Sequence, residues 1–486
     1  MMSRRFTVHH HKIGLHHIMS ILLVMSLVGL LAACGGTTQP SSQPQNENQN
    51  NDALQETTSS SNSPASSSES TAKGNGTAIL TSLDGPVEIT FWHAMSGHHE
   101  ETLQKITDAF MKANEQIKIK LEFQGNYSDL QQKLLAAAKS KTLPTMSQVI
   151  ETWVTDYKQN HLVMDMNPYI MHPEIGWTKE ELDDIVEAFR RANQWDGHYF
   201  SLPFSKSAQI LFYNTDYLKE KNVDVPQTWE ALKDAATELT FEKNGKKVIG
   251  FGLENSVGWQ FHQWIRQAGG TFIDEETGKV EFDSPEGQEA LQFFTGLVKN
   301  GIARLAGEDG YMSNPFGRGD VAMFVGSSAG IPFVDSAAKG NIKWSAAPVF
   351  AGKEKAVQFA GNAVSIFDAA TDEQKLAAWL FIKYLLNTDN TALWAKETGY
   401  LPIRYSALKS PIWKDYVQAH PEQGIGTEAF NNGFFDPRVP GFDAVYQIMQ
   451  KEIEAAFLSE KDIAQALHDA AKDSQEAIDK AKAKAH

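Results

Sequence analysis

The sequence predicts an α/β fold built as more than one domain, and three observations carry that expectation. Between Val87 and Ile150, period-2 and period-3.6 patterns alternate in the order β-α-β-α-β, which requires parallel strands with both sheet faces covered. Roughly 400 residues follow a polar linker, too many for one hydrophobic core and enough for two of ordinary size. The chain has a single cysteine, so no internal disulfide supplements the core; 11 Trp, 12 Tyr and 27 Phe supply the apolar mass instead.

The N-terminal segment reads as an export leader. Arg4, Arg5 and Lys12 form a basic region, and Ile18 to Leu31 is apolar apart from Ser20, Ser26 and Gly29. That run is shorter than the ~20 residues of a membrane span, and it ends at small residues in Leu31-Ala32-Ala33-Cys34. This tetrapeptide resembles a bacterial lipobox, which implies cleavage after residue 33 and acylation of Cys34. Residues 1–33 carry three positive charges and no negative ones, so the formal charge of −16 becomes −19 for the remaining chain. Such an acidic balance argues against nucleic acid as a partner. From residue 34 to 85 the composition is Ser, Thr, Asn, Gln and Pro, a tether that cannot form a core. The histidines at 9, 10, 11, 16 and 17 fall within the leader, so they make no metal site in the exported protein.

The folded part opens with Val87-Glu88-Ile89-Thr90-Phe91-Trp92, an alternating strand. Leu103, Ile106, Phe110 and Ala113 recur at helical spacing. Ile117, Ile119, Leu121 and Phe123 alternate over a second strand, Ser128 is placed to cap a helix carrying Leu130, Leu134, Leu135 and Ala138, and Met146 to Ile150 is a third strand. Ligands in open α/β sheets sit beyond the carboxyl ends of the strands. Here those ends lead into His93–Gly97, Gln124–Tyr127 and Glu151–Trp153. Downstream, Ile210 to Asp216 reads as a strand and turn, 227–238 and 284–299 as amphipathic helices, and Val321–Val325 as an apolar strand entering Gly326-Ser327-Ser328-Ala329-Gly330. A strand near Val364–Phe367 precedes a helix from about Glu373 to Leu386, and two charged helical stretches follow Tyr446.

Phe91-Trp92-His93, Gln124-Gly125-Asn126-Tyr127, Leu202-Pro203-Phe204 with Tyr213-Asn214-Thr215-Asp216, Gly319-Asp320-Val321-Ala322-Met323 and Thr398-Gly399-Tyr400-Leu401-Pro402-Ile403 occur in this order. Together they resemble the bacterial extracellular solute-binding proteins of family 1, most of all the sn-glycerol-3-phosphate and glycerophosphodiester binders. The resemblance spans nearly all of 86–470. It implies a periplasmic-binding-protein-like clamp of two α/β lobes, 86–212 with 362–402 and 213–361 with 403–486, joined by two or three crossings and closing on a solute. It also implies a non-enzymatic, monomeric receptor without metal or other cofactor, held at the outer face of the cell membrane by lipid alone, that delivers its solute to an ABC permease and its ATPase.

Residue by residue, the resemblance places ligand contacts at Tyr127, Glu151, Ser207, Ser327, Gly361, Asn362 and Tyr400, with the Trp259 indole against the carbon face of a polyol. Glycerophosphate binders of this family carry an arginine that aligns with Tyr446, a phenol, which leaves Arg438 or Lys206 to supply a cation for phosphate, or else an uncharged sugar as ligand. Gly326-x-Ser328-x-Gly330 also fits a nucleophile elbow and makes a secreted serine hydrolase the rival reading. That reading lacks an oxyanion-loop motif, so a ligand-facing loop of small residues is preferred. His93, His98, His99 and Glu100 lack zinc spacing and read as a solvated helix start.

Overall fold

The computed structural model describes residues 79–484. The leader, Cys34 and nearly all of the tether lie outside the described residues. Among those described, no helix is long and apolar enough to cross a membrane.

The first lobe begins as the alternation requires. Strand β1 (Val87–His93), helix α1 (His98–Ala113), β2 (Ile117–Phe123), α2 (Tyr127–Ser140), β3 (Met146–Val149) and α3 (Glu151–Gln159) follow one another, and β1 pairs in parallel with both β2 and β3. Ile117, Ile119 and Leu121 lie opposite Val87, Ile89 and Phe91. Asn126, not Ser128, caps α2. Its side chain accepts from the Asp129 amide at 3.0 Å while the Asp129 carboxylate accepts from the Asn126 amide at 3.1 Å. This reciprocal capping box leaves Ser128 inside the first turn.

A short helix α4 (Glu187–Ala192) then leads to β4 (Leu202–Asn214), much longer than the Ile210–Asp216 segment expected. All but one of its 13 residues are buried, so no alternation marks its start. Leu202 to Ala208 pair with β8 (Val357–Ile366), whereas Gln209 to Asn214 pair with β6 (Val321–Ser327) and β7 (Trp344–Pro348). One strand thus runs through both lobes. Its partners are antiparallel, as are β8 and β3, so the sheets are mixed where the chain passes between lobes, whereas β1, β2 and β3 of the first lobe are parallel. The reason is that β4 carries the chain from the first lobe to the second and β8 carries it back, so the two crossings run in opposite directions.

The second lobe adds α5 (Trp229–Glu238), β5 (Lys246–Leu253), α6 (Val257–Gln267) and α7 (Pro285–Lys299), with β5 parallel to β6. After β8, helices α8 (Asp372–Leu385) and α9 (Thr388–Thr398) cover the first lobe. A short strand β9 (Gly433–Phe434) pairs with the start of β8, and α10 (Phe442–Phe457) and α11 (Ile463–Lys484) close the second. Separate apolar cores hold the lobes. One gathers Phe91, Phe110, Trp379, Phe381 and Trp394, the other Phe251, Phe261, Trp264, Phe294 and Ile453.

Candidate ligand-binding site

The strands that cross between lobes carry Ser207, Gly361 and Asn362 side by side. Gly361 lies opposite Lys206 and Asn362 opposite Ser205, with Ser207 next along β4. Gly361 has φ +107°, and a β carbon there would sit 1.8 Å from the Ser205 carbonyl oxygen, so only glycine lets β8 approach β4 this closely. Over this floor, the Tyr127 hydroxyl at the start of α2 accepts from Asn362 Nδ2 at 2.7 Å and lies 3.5 Å from the Tyr400 hydroxyl. Burial is the main reason that the Tyr127 phenol is held well above its ordinary pKa; both phenols stay protonated and can donate. Tyr400 is fixed by its neighbour, because the Leu401 amide donates to the Lys206 carbonyl at 2.6 Å.

Glu151 opens α3, and its carboxylate is already occupied. It accepts from Asn193 Nδ2 at 3.0 Å and pairs with the Lys206 ammonium. Lys206 is fully buried, and burial pushes its pKa down despite the carboxylate beside it. Its ammonium also lies 5.3 Å from the centre of the Phe435 ring. Ser205 Oγ and Asn362 Oδ1 are buried without a protein partner, which leaves polar capacity on the floor for a solute or water.

Ser327 lies opposite Gln209 and turns its hydroxyl to the Ala329 amide at 3.2 Å. Ser328 is buried, and the Ala208 amide donates to its hydroxyl at 3.4 Å; among the described residues its hydroxyl has no histidine partner. The histidines at the end of β1 and the start of α1 have other roles. His98 meets Glu101 and Glu397, His99 Nε2 lies 3.1 Å from the Thr398 carbonyl, and burial pushes His93 down to about 4.

Trp259 and Arg438 are tied to the site through the segment Gly433 to Arg438. The partly exposed Trp259 donates its indole N–H to Asp436 Oδ2 at 3.0 Å. Arg438 is turned away from the cluster. Its Nε and Nη2 meet Glu275 Oε1 at 2.9 and 2.6 Å, and its Nη1 donates to the carbonyls of Arg191, Ala192 and Gln194. It therefore joins the end of α4 in one lobe to Glu275 in the other. Tyr446, at the aligned arginine position, has its phenol pushed up by burial and, secondarily, by the Asp436 carboxylate. A cavity of about 730 Å³ lies elsewhere, between the end of α3 and the start of α10, lined by Asp156, Asn160, Gly441, Glu476 and Lys480.

Sequence reasoning missed the Glu151–Lys206 pair and the role of Asp436. Both partners of Glu151 lie far along the chain, and no local pattern announces such a contact. The run Asn432-Gly433-Phe434-Phe435-Asp436-Pro437-Arg438 did offer a signal, since aromatic and charged residues are concentrated there in a segment with no helical or strand period.

Comparison with known proteins agrees with this architecture. The family model for "Bacterial extracellular solute-binding protein" matches residues 105–421. The sn-glycerol-3-phosphate-binding periplasmic protein UgpB of Escherichia coli K12 is 24% identical over 417 residues, covering 82% of this chain and 94% of that protein. Among solved structures, UgpB from Mycobacterium tuberculosis in complex with glycerophosphocholine superposes with a TM-score of 0.72 at 20% identity, covering 82% of this chain and 99% of that one. The cyclic α-maltosyl-1,6-maltose binding protein from Arthrobacter globiformis gives 0.70 at 25% identity, covering 82% and 100%. The GacH receptor of Streptomyces glaucescens gives 0.71 at 21%, covering 82% and 99%. With well over half of its length matched by the family model and a two-lobed α/β clamp to go with it, the chain belongs to the bacterial extracellular solute-binding proteins.

Proposed function

We propose that this chain captures an uncharged polyol or saccharide between its lobes and delivers it to an ABC permease and its ATPase, acting as a monomer tethered through a lipid on Cys34. The lobes are residues 86–212 with 362–402 and 213–361 with 403–486, and closure on solute makes the form that the permease receives. The contacts are Tyr127, Ser207, Ser327, the Gly361–Asn362 backbone and Tyr400, with Trp259 as the aromatic wall. Glu151 acts from behind as the partner of Lys206.

One observation favours an uncharged solute over a phosphate ester: the two cations that the sequence offers for phosphate are already paired, Lys206 with Glu151 and Arg438 with Glu275. What remains are phenols, hydroxyls, amides and an indole face, the groups that bind hydroxyls and C–H surfaces. Calorimetric titration with maltotriose, sn-glycerol-3-phosphate and glycerophosphocholine tests this. Heat from maltotriose alone supports it; micromolar binding of either phosphate ester overturns it and means that Lys206 or Arg438 leaves its carboxylate for the phosphate. Metabolic labelling with palmitate, lost in Cys34→Ser, tests the anchor.

A further inference from the structure

Asp436 holds three donors from two parts of the fold. Its Oδ2 accepts the Trp259 indole N–H at 3.0 Å, and its Oδ1 lies 2.7 Å from both His262 Nδ1 and Gln358 Nε2. Trp259 and His262 are three residues apart on α6, hence on one helix face. Gln358 belongs to β8, the strand that carries Gly361 and Asn362. His262 is itself locked, stacked on Phe272 with centroids 4.4 Å apart and edge-on to Phe434 at 4.7 Å. The adjacent Phe435 packs on Phe359 of β8 at 5.2 Å and lies beneath Lys206.

We infer that Asp436 is a positioning residue of the binding site: its carboxylate sets the angle of the Trp259 indole and couples that indole to the floor strand through Gln358. The inference rests on the reading that Trp259 faces the solute. An indole has two side-chain torsions, and partial exposure leaves its ring free to turn unless its polar edge is held. Asp436 holds that edge with a charge-assisted bond, while His262 and Gln358 occupy the other oxygen and keep the carboxylate from following the indole. The ring face therefore stands ready before the solute arrives, which lowers the ordering cost of binding.

The test uses the full chain without ligand, then with it. In ¹⁵N-indole NMR, the Trp259 resonance is assigned by its loss in Trp259→Phe. Asp436→Asn, which keeps the shape and removes the charge, shifts this resonance and speeds its exchange with water. Asp436→Ala does the same, and unchanged far-UV circular dichroism shows that the fold persists. Maltotriose is then titrated into the wild type, Asp436→Asn, Trp259→Phe and the double variant. Each single change weakens binding by about tenfold, the loss of one charge-assisted contact, and the double variant is no worse than Trp259→Phe alone. An indole resonance that ignores Asp436→Asn, or losses that multiply in the double variant, overturns the inference. Wild-type protein that ignores maltotriose and binds sn-glycerol-3-phosphate overturns the uncharged-solute reading instead, and the same four-variant cycle on that phosphate ester then decides Asp436 by the same criterion.

Discussion

Replacing Glu151 with Gln removes one charge from a pair that has almost no access to water, Lys206 being 0% and Glu151 3% exposed. The amide keeps the shape and still accepts from Asn193, so the change isolates the charge. A buried ammonium left alone costs about 3–5 kcal/mol. The upper end is set by chemistry, because lysine can release its proton, and doing so at pH 7 from an ordinary pKa costs about 5 kcal/mol. Lys206→Met strands the carboxylate instead, with an analogous ceiling of about 4 kcal/mol for protonating it. The double variant Glu151→Gln, Lys206→Met buries no charge and should lie within about 1–2 kcal/mol of the wild type. Urea denaturation followed by tryptophan fluorescence and circular dichroism measures all four proteins. The coupling energy expected is therefore several kcal/mol, a large share of a typical stability of about 5–15 kcal/mol. Burial lowers the Lys206 pKa and Glu151 opposes it, so Glu151→Gln lets it fall further; its folded state then binds fewer protons than that of the wild type, and it should gain stability relative to the wild type as pH rises. A single variant within about 1 kcal/mol of the wild type, or a double variant that merely sums the two losses, refutes a buried ion pair at this position.

Gly361→Ala must place its β carbon 1.8 Å from the Ser205 carbonyl at φ +107°, so β4 and β8 have to part; a loss above about 3 kcal/mol, or insoluble protein, is expected, and near-wild-type melting would contradict the register. Arg438→Lys keeps the charge but loses the fork that reaches Glu275 and three carbonyls. Small-angle scattering should then show a more open ligand-free molecule, with thermal stability reduced by about 1–2 kcal/mol. Asp443, bonded by Gln131 across the lobes, has its pKa pushed up to about 6, chiefly by burial. Between about pH 4 and 6 the folded chain keeps a proton there that the unfolded chain has released, so this stabilising contribution is complete below about 4 and lost as pH rises through about 6. Unfolding free energies from urea titrations between pH 4 and 7 should therefore fall relative to those of Asp443→Asn, by up to about 3 kcal/mol, and parallel curves would show that Asp443 does not titrate in this way.

What short-range pattern could determine, the sequence determined by itself. The alternation Ile117 to Phe123 is a strand over those residues, the 284–299 period is a helix over Pro285–Lys299, and the β-α-β-α-β order makes β1, β2 and β3 parallel. Each rests on side chains a few residues apart, whose facing is fixed by backbone geometry alone. Choices among equivalent caps were harder to read, and Asn126 won over Ser128 because Asp129 could answer it. Only the tertiary structure decided that β4 runs through both lobes, since a strand buried on both faces shows no period. It alone decided which charges are free. Glu151 meets Lys206 55 residues on, Arg438 meets Glu275 163 residues back, and Asp436 gathers donors 78, 174 and 177 residues away. The same lysine and arginine read along the chain as candidate phosphate ligands become, once packed, halves of neutral pairs. Electrostatic partnership depends on distance in space and on exclusion of water, and neither is written in local sequence.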